Sequence, residues 1–269
     1  MNNILLRSLT GGVFISIIIG ALWWNYNATT IVMSIFLIIG LNEFYNLFKD
    51  QKEIQLSHSI AITGNLAVFT ILIGTMFELI PGKAFSLIFP ILFFLFLTEL
   101  WRKTINPLVN IGLMTFSIFY LVVPFFLIIA LGRMSDHTNP LAIGMFLLIW
   151  TNDTFAYLTG RFFGKTKLFE RISPRKTWEG TIGGILFTIG VGYLIGLWSN
   201  DYSTDFWVIA ALIISPCSIF GDLLESLFKR SLNIKDSGNI MPGHGGILDR
   251  FDAALFAVPF FYCWVVFYS

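Results

Sequence analysis

Runs of about 20 predominantly apolar residues recur along the chain, and this recurrence constrains the fold more than any other feature. A helix needs about 20 such residues to cross roughly 30 Å of hydrocarbon. In lipid, every backbone N–H and C=O must be satisfied inside the spanning segment, so helices are the natural solution. Nine runs meet the rule, at approximately 9–24, 29–48, 60–80, 84–101, 107–132, 140–160, 180–198, 206–228 and 247–268. They predict an all-α, polytopic integral membrane protein with about nine transmembrane helices. The fifth run contains Pro124, which predicts a tilt or kink. The first follows Arg7 in the manner of a signal peptide. It ends in Trp23-Trp24-Asn25-Tyr26, with no small-x-small cleavage site. An aromatic pair belongs at headgroup depth, so this run reads as an uncleaved span.

Composition agrees. Hydrophobic residues make up 56% of the chain and charged residues 12%, about half the charge of an ordinary soluble domain. A net charge of +1 gives no field that would attract nucleic acid. The two cysteines, Cys217 and Cys263, have neither metal-ligand nor disulfide-framework spacing, and both read as buried packing residues. Charge also sets an orientation. Fifteen of the 17 Lys and Arg residues fall in one alternating set of loops, and only Lys83 and Arg133 fall in the other. Basic loops stay inside, which predicts a cytoplasmic N-terminus, an external C-terminus and two long charged loops in the cytoplasm. Three regions follow: N-terminal membrane helices (1–80), middle membrane helices (84–132), and a membrane region with both charged loops (140–269), where the residues below place the expected catalytic part.

The chemistry concentrates between Gly221 and Asp252. Asp222, Glu225, Ser226 and Lys229 stand at i, i+3, i+4 and i+7 and share one helix face. Asp249 and Asp252 stand three apart at the start of the last run. Carboxylates at bilayer depth are costly and mark function. Their hard oxygens suit Mg²⁺, which keeps waters and is completed by substrate phosphates. The glycines of Gly243-His244-Gly245-Gly246 allow close backbone approach to an anion. Lys229, Lys235 and Arg250 supply charge against phosphate. A second charged loop adds Asp153, Arg161 and Lys176, of which Asp153 lies near the end of an apolar span and needs a partner or a cavity.

These residues carry a specific resemblance. The pattern Ser226-x-Phe228-Lys229-Arg230-x4-Lys235-Asp236-x-Gly238-x3-Pro242-x-His244-Gly245-Gly246-Ile247-x-Asp249-Arg250-Phe251-Asp252 resembles the signature of phosphatidate cytidylyltransferases. Met241 stands where that family usually has Leu, Ile or Phe, which preserves apolar character. The segments Trp150-x2-Asp153-x2-Ala156-Tyr157-x2-Gly160-Arg161-x2-Gly164-Lys165 and Ser173-Pro174-x-Lys176-Thr177-Trp178-Glu179-Gly180 resemble family segments that line a polar cavity. The nine-span layout resembles the bacterial members, while the first 100 residues carry little specific resemblance. The resemblance implies formation of CDP-diacylglycerol and pyrophosphate from phosphatidate and CTP, in a bacterial-type inner membrane with the active site facing the cytoplasm. It implies a catalytic set of Asp222, Asp249, Lys229, Lys235, Asp236 and His244. Substrate would be bound by Asp153, Arg161, Lys176, Ser226, Arg230, Gly245, Gly246, Arg250 and Asp252. Asp222 and Asp249 would hold Mg²⁺, with a second cation as an open alternative. The partners expected are CTP, phosphatidate and the bilayer, with a homodimer open and no nucleic acid.

Two other classes compete. A secondary transporter with buried acids predicts interrupted spans in matching halves, whereas the charge here lies at one end. A CTP-dependent polyprenol-type lipid kinase would use similar groups. The Asp-Gly-x2-Ala-Arg motif of CDP-alcohol phosphotransferases is absent. Elsewhere bland readings suffice: Glu43 and Glu99 as interfacial acids near span ends, His58 and His137 as loop residues without partners, and Phe89 to Phe96 as a lipid-facing or packing surface.

Overall fold

The computed structural model describes residues 3–134, 139–238, 240 and 245–268. Ten helices and one hairpin follow in order: α1 (Asn3–Trp24), α2 (Tyr26–Asn46), α3 (His58–Met76), α4 (Ile88–Trp101), α5 (Pro107–Ser117), α6 (Val123–Arg133), α7 (Pro140–Phe163), β1 (Lys167–Phe169), β2 (Ser173–Thr177), α8 (Trp178–Trp198), α9 (Thr204–Ser231) and α10 (Leu248–Tyr268). Among the described residues, eight helical stretches are long and apolar enough to cross a membrane, and the first expected span is the shorter apolar helix Leu9–Trp24. The chain is an all-α polytopic membrane protein apart from the small hairpin, which local hydropathy does not reveal.

The fourth crossing begins with a 3₁₀ segment, Gly82–Leu87, that runs into α4. The fifth is α5, a π turn at Ile118–Val122 and α6. Pro124 accounts for the π turn. It lacks an N–H and its ring crowds the carbonyl four residues back, and a π turn just before it absorbs the mismatch. Pro216 and Pro259 are accommodated inside α9 and α10. Beside Pro216, the Ser215 hydroxyl donates to the Ala211 carbonyl at 2.6 Å, the kind of local repair that permits proline in a span.

Two compact units emerge, one from residues 1–21, 27–130 and 236–248, the other from 22–26, 131–235 and 249–269. The first unit buries Phe14, Met33, Leu37, Leu41 and Phe44. Polar groups inside it are paired rather than interfacial. Tyr45 and Ser117 hydroxyls meet at 2.6 Å, Asn65 donates to Tyr45 at 2.9 Å, and Ser117 donates to Asn65 Oδ1 at 3.1 Å. Glu99 is buried and accepts from Arg102, from Thr104 at 2.9 Å and from Asn110 at 3.0 Å. His58 opens α3 and contacts the Tyr45 carbonyl at 3.0 Å. The bland readings of Glu99 and His58 therefore fail, because folding brings donors and acceptors from distant helices. His137 lies outside the described residues. In the Phe-rich run, Phe89, Phe93 and Phe94 are exposed, as a lipid-facing surface requires.

In the second unit α8 packs on both α7 and α9 through a row of small residues. Gly180, Gly184, Thr188, Gly192 and Gly196 recur every fourth position and all are buried. A Cβ at Gly184 would sit 2.9 Å from the Ala156 Cβ and the Asn152 Oδ1, and one at Gly192 would sit 2.7 Å from the Trp207 carbonyl oxygen. Without side chains there, helix backbones approach closely, which is how membrane helices gain packing energy. Cys217 is buried as expected, but Cys263 is exposed on α10. An apolar run does not reveal which helix face looks outward.

Candidate active site

Four elements of the second unit build one polar cluster. The hairpin comes first. β1 and β2 pair antiparallel, and Thr177 ends β2 while capping α8, its Oγ1 accepting from the Gly180 N–H at 3.2 Å. One position into α8, Glu179 accepts the N–H groups of Lys165 and Thr166 at 3.1 Å. A carboxylate in a first helical turn is favoured by the helix dipole, and here it also ties the loop before β1 to the helix. The hairpin thus holds Lys176, one residue before the cap, against Asp222 of α9, and the two form an ion pair.

α9 contributes a face in the order its spacing dictates. Ser226 donates to Asp222 Oδ1 at 3.3 Å, and Lys229 donates to Glu225 one turn back. Lys229 also donates to Asp249 Oδ1 in the first turn of α10, at 2.6 Å. This triad is largely sequestered, with side-chain exposures of 13% for Lys229, 5% for Glu225 and 7% for Asp249. Glu225 Oε1 is buried with no partner among the described residues. Glu225 thus belongs to the site, although sequence reasoning left it out of the candidate set. Its i,i+4 spacing to Lys229 was the available signal.

α7 adds Asp153, which is exposed and interacts electrostatically with Asp222, Lys176 and Arg250. Asp252, half-buried on α10, interacts with Asp222, Glu225 and Asp153. Five carboxylates therefore face three cations, Lys176, Lys229 and Arg250. Such an anionic excess at the ends of apolar helices fits a cationic ligand. Among the described residues no group of three or more His, Cys, Asp or Glu side chains stands at metal-holding spacing. Magnesium does not need one, since it is typically held by one or two carboxylates and completed by water and phosphate oxygens. Hard oxygens of Asp222 and Asp249 suit it.

The other expected residues are mostly exposed. Arg161 is exposed in the last turn of α7. Arg230 is exposed and donates to the Ile234 carbonyl at 3.4 Å, while Lys235, Asp236 and Arg250 are exposed. His244 lies outside the described residues. Lys229 bonds two carboxylates of the protein, Glu225 and Asp249.

Gly245 and Gly246 belong to the first unit with residues 236–248. Gly245 has φ 78°, a left-handed conformation that favours glycine. Gly246 is buried against Glu43 of α2. Glu43 is itself buried, and its Oε1 and Oε2 accept the N–H groups of Ile247 and Leu248, each at 3.0 Å. Its reading as an interfacial acid is corrected: it is a buried carboxyl group at the N-terminus of α10.

A model of the cytidylyltransferase family matches residues 5–268. Among individual proteins, a phosphatidate cytidylyltransferase of Haemophilus influenzae is 37% identical over 174 residues, 61% of this chain and 58% of that protein. One of Staphylococcus aureus (strain COL) is 49% identical over 116 residues, 42% of this chain and 44% of that protein. One of Bacillus subtilis (strain 168) is 31% identical over 223 residues, 81% of this chain and 82% of that protein. The first two alignments thus span less than two thirds of those relatives.

Proposed function

The chain belongs to the cytidylyltransferase family, and on that premise we propose that it makes CDP-diacylglycerol and pyrophosphate from phosphatidate and CTP in phospholipid biosynthesis. The observation that carries the reading is the polar cluster at the ends of α7, α9 and α10. In it Lys176 pairs with Asp222, and Lys229 pairs with Asp249. A lipid phosphate and a nucleotide triphosphate both need such a place: apolar walls for acyl chains, and charge for phosphate. The relatives named phosphatidate cytidylyltransferase support the choice of substrates.

In the reaction a phosphate oxygen of phosphatidate attacks the α-phosphorus of CTP. The bond from that phosphorus to the oxygen bridging toward the β-phosphate breaks, and pyrophosphate leaves with the electron pair. No protein nucleophile is needed. Lys176 and Arg250 offer positive charge where phosphate charge concentrates. Lys229 holds Asp249 in place. Asp222 and Asp249 would hold Mg²⁺. When bound, it supplies charge that offsets repulsion between two polyanions. The 15-to-2 division of basic residues supports a cytoplasmic site in a bacterial inner membrane.

Detergent-purified protein incubated with phosphatidate, Mg²⁺ and CTP tests the proposal. CTP labelled in its α-phosphate should pass label to the lipid, and CTP labelled in its γ-phosphate should not. The reverse pattern identifies a lipid kinase, and no lipid label in either arm removes the enzyme reading.

A further inference from the structure

We propose that Glu43, on the second membrane helix, is a positioning residue that holds the backbone of Gly246, Ile247 and Leu248 at the start of α10. The activity part of this proposal rests on the cytidylyltransferase reading. The positioning part does not.

Three observations converge on one side chain. First, Glu43 is 4% exposed, and a buried carboxylate is expensive unless it is hydrogen-bonded. Second, both of its oxygens accept backbone N–H groups from Ile247 and Leu248 at 3.0 Å. These are N–H groups at the N-terminus of a 21-residue helix, where the dipole and unsatisfied donors favour an anion. Third, two glycines lie close against the acid. A Cβ built on Gly238 would lie 2.5 Å from Glu43 Oε1, and one on Gly246 would lie 2.5 Å from Oε2. Two glycines of the signature pattern, eight positions apart, thus touch the same carboxylate. Their lack of side chains is explained by Glu43 as well as by any approach of phosphate.

The arrangement gives the N-terminal helices a task. Leu248 directly precedes Asp249 in the chain, so the acid fixes the backbone that leads into the residue expected to hold metal. Glu43 acts in this account through the backbone it holds, as a positioning rather than a catalytic residue. A carboxylate is needed rather than any polar group. A Gln at this position would turn an NH₂ toward one of two N–H donors and leave that donor buried and unsatisfied.

The test uses the full-length protein with Ser237→Cys in a Cys217→Ser/Cys263→Ser background. Ser237 is 6% exposed, so a thiol there should react slowly with maleimide. Adding Glu43→Gln should speed labelling at least tenfold. In parallel, Glu43→Gln with native Ser237 should lower kcat by about 10²-fold, the scale of an ångström-sized misplacement. The KM for CTP should change little, the thermal midpoint should fall modestly for the one unsatisfied donor, and Glu43→Asp should recover part of kcat. Unchanged labelling overturns the clamp. Faster labelling with an unchanged kcat for the folded enzyme overturns the positioning role. If native protein makes no CDP-diacylglycerol, the functional reading fails while the labelling comparison still decides the clamp.

Discussion

Lys229 Nζ lies 2.6 Å from Asp249 Oδ1 and also bonds Glu225, joining the charged end of α9 to the first turn of α10. One ammonium therefore balances two mostly buried carboxylates. Lys229→Gln should do more than weaken a substrate contact. It should lower activity by about 10²–10³-fold and destabilise the protein by about 3 kcal/mol, because it strands buried charge. Adding Glu225→Gln should restore the unfolding midpoint but not the rate. Thermal unfolding in detergent, beside the lipid assay, checks this. An unchanged midpoint in Lys229→Gln would show that the triad is not structural.

The proposed metal makes a different demand. Asp222→Asn and Asp249→Asn should each abolish CDP-diacylglycerol formation and shift its dependence on Mg²⁺ upward. The double variant should be no worse than either single one, since either loss dismantles one site. Rates measured across a Mg²⁺ titration decide the matter. Near-normal rates at unchanged Mg²⁺ demand in both single variants would remove these residues as ligands.

Two neighbouring glycines of α8 should respond in opposite directions. Gly192→Ala drives a methyl against the Trp207 carbonyl and should cost about 1–3 kcal/mol by overpacking. At Gly190 nothing stands within 4 Å. There Gly190→Ala should be neutral or should stabilise by up to about 1 kcal/mol through helix propensity. Paired thermal unfolding curves check both. Equal shifts would mean that the small-residue row is not a packing seam.

Orientation is accessible in intact cells. With both native cysteines replaced, Lys167→Cys should be shielded from a membrane-impermeant thiol reagent and Asn200→Cys should react. The basis is the charge bias together with the placement of these residues at opposite ends of α8's flanking loops. Labelling of Lys167→Cys from outside would invert the orientation and place the active site on the wrong face for cytoplasmic CTP.

What the sequence made legible was whatever is periodic or local. Apolar runs located the membrane helices because their length is set by the bilayer. The α9 face was readable because helix geometry alone brings Asp222, Glu225, Ser226 and Lys229 together. The four-residue recurrence from Gly180 to Gly196 was readable in principle, but nothing local said which helices it packs against. Glu43 was illegible for a stronger reason: its donors lie 204 and 205 positions away, and no spacing rule joins them. Lys229 was readable as a cation near expected phosphates, but its bond to Asp249 was not, because that partner comes from a second helix 20 positions on. The hairpin escaped notice because its strands are three and five residues long, too short to show an alternating pattern.

The separation between Glu43 and its donors also has a consequence for biogenesis. At ribosomal speeds of 5–20 residues per second, about 10–40 s pass between synthesis of the acid and synthesis of Ile247. Throughout that interval the second span carries a carboxylate lacking these two donors, in a setting where unsatisfied charge is costly. A chain stopped short of Ile247 never gains these two donors, and their absence distinguishes an unfinished copy from a finished one. Glu43→Gln should then lengthen the lifetime of such truncated chains in a pulse–chase measurement, while leaving the turnover of full-length protein little changed.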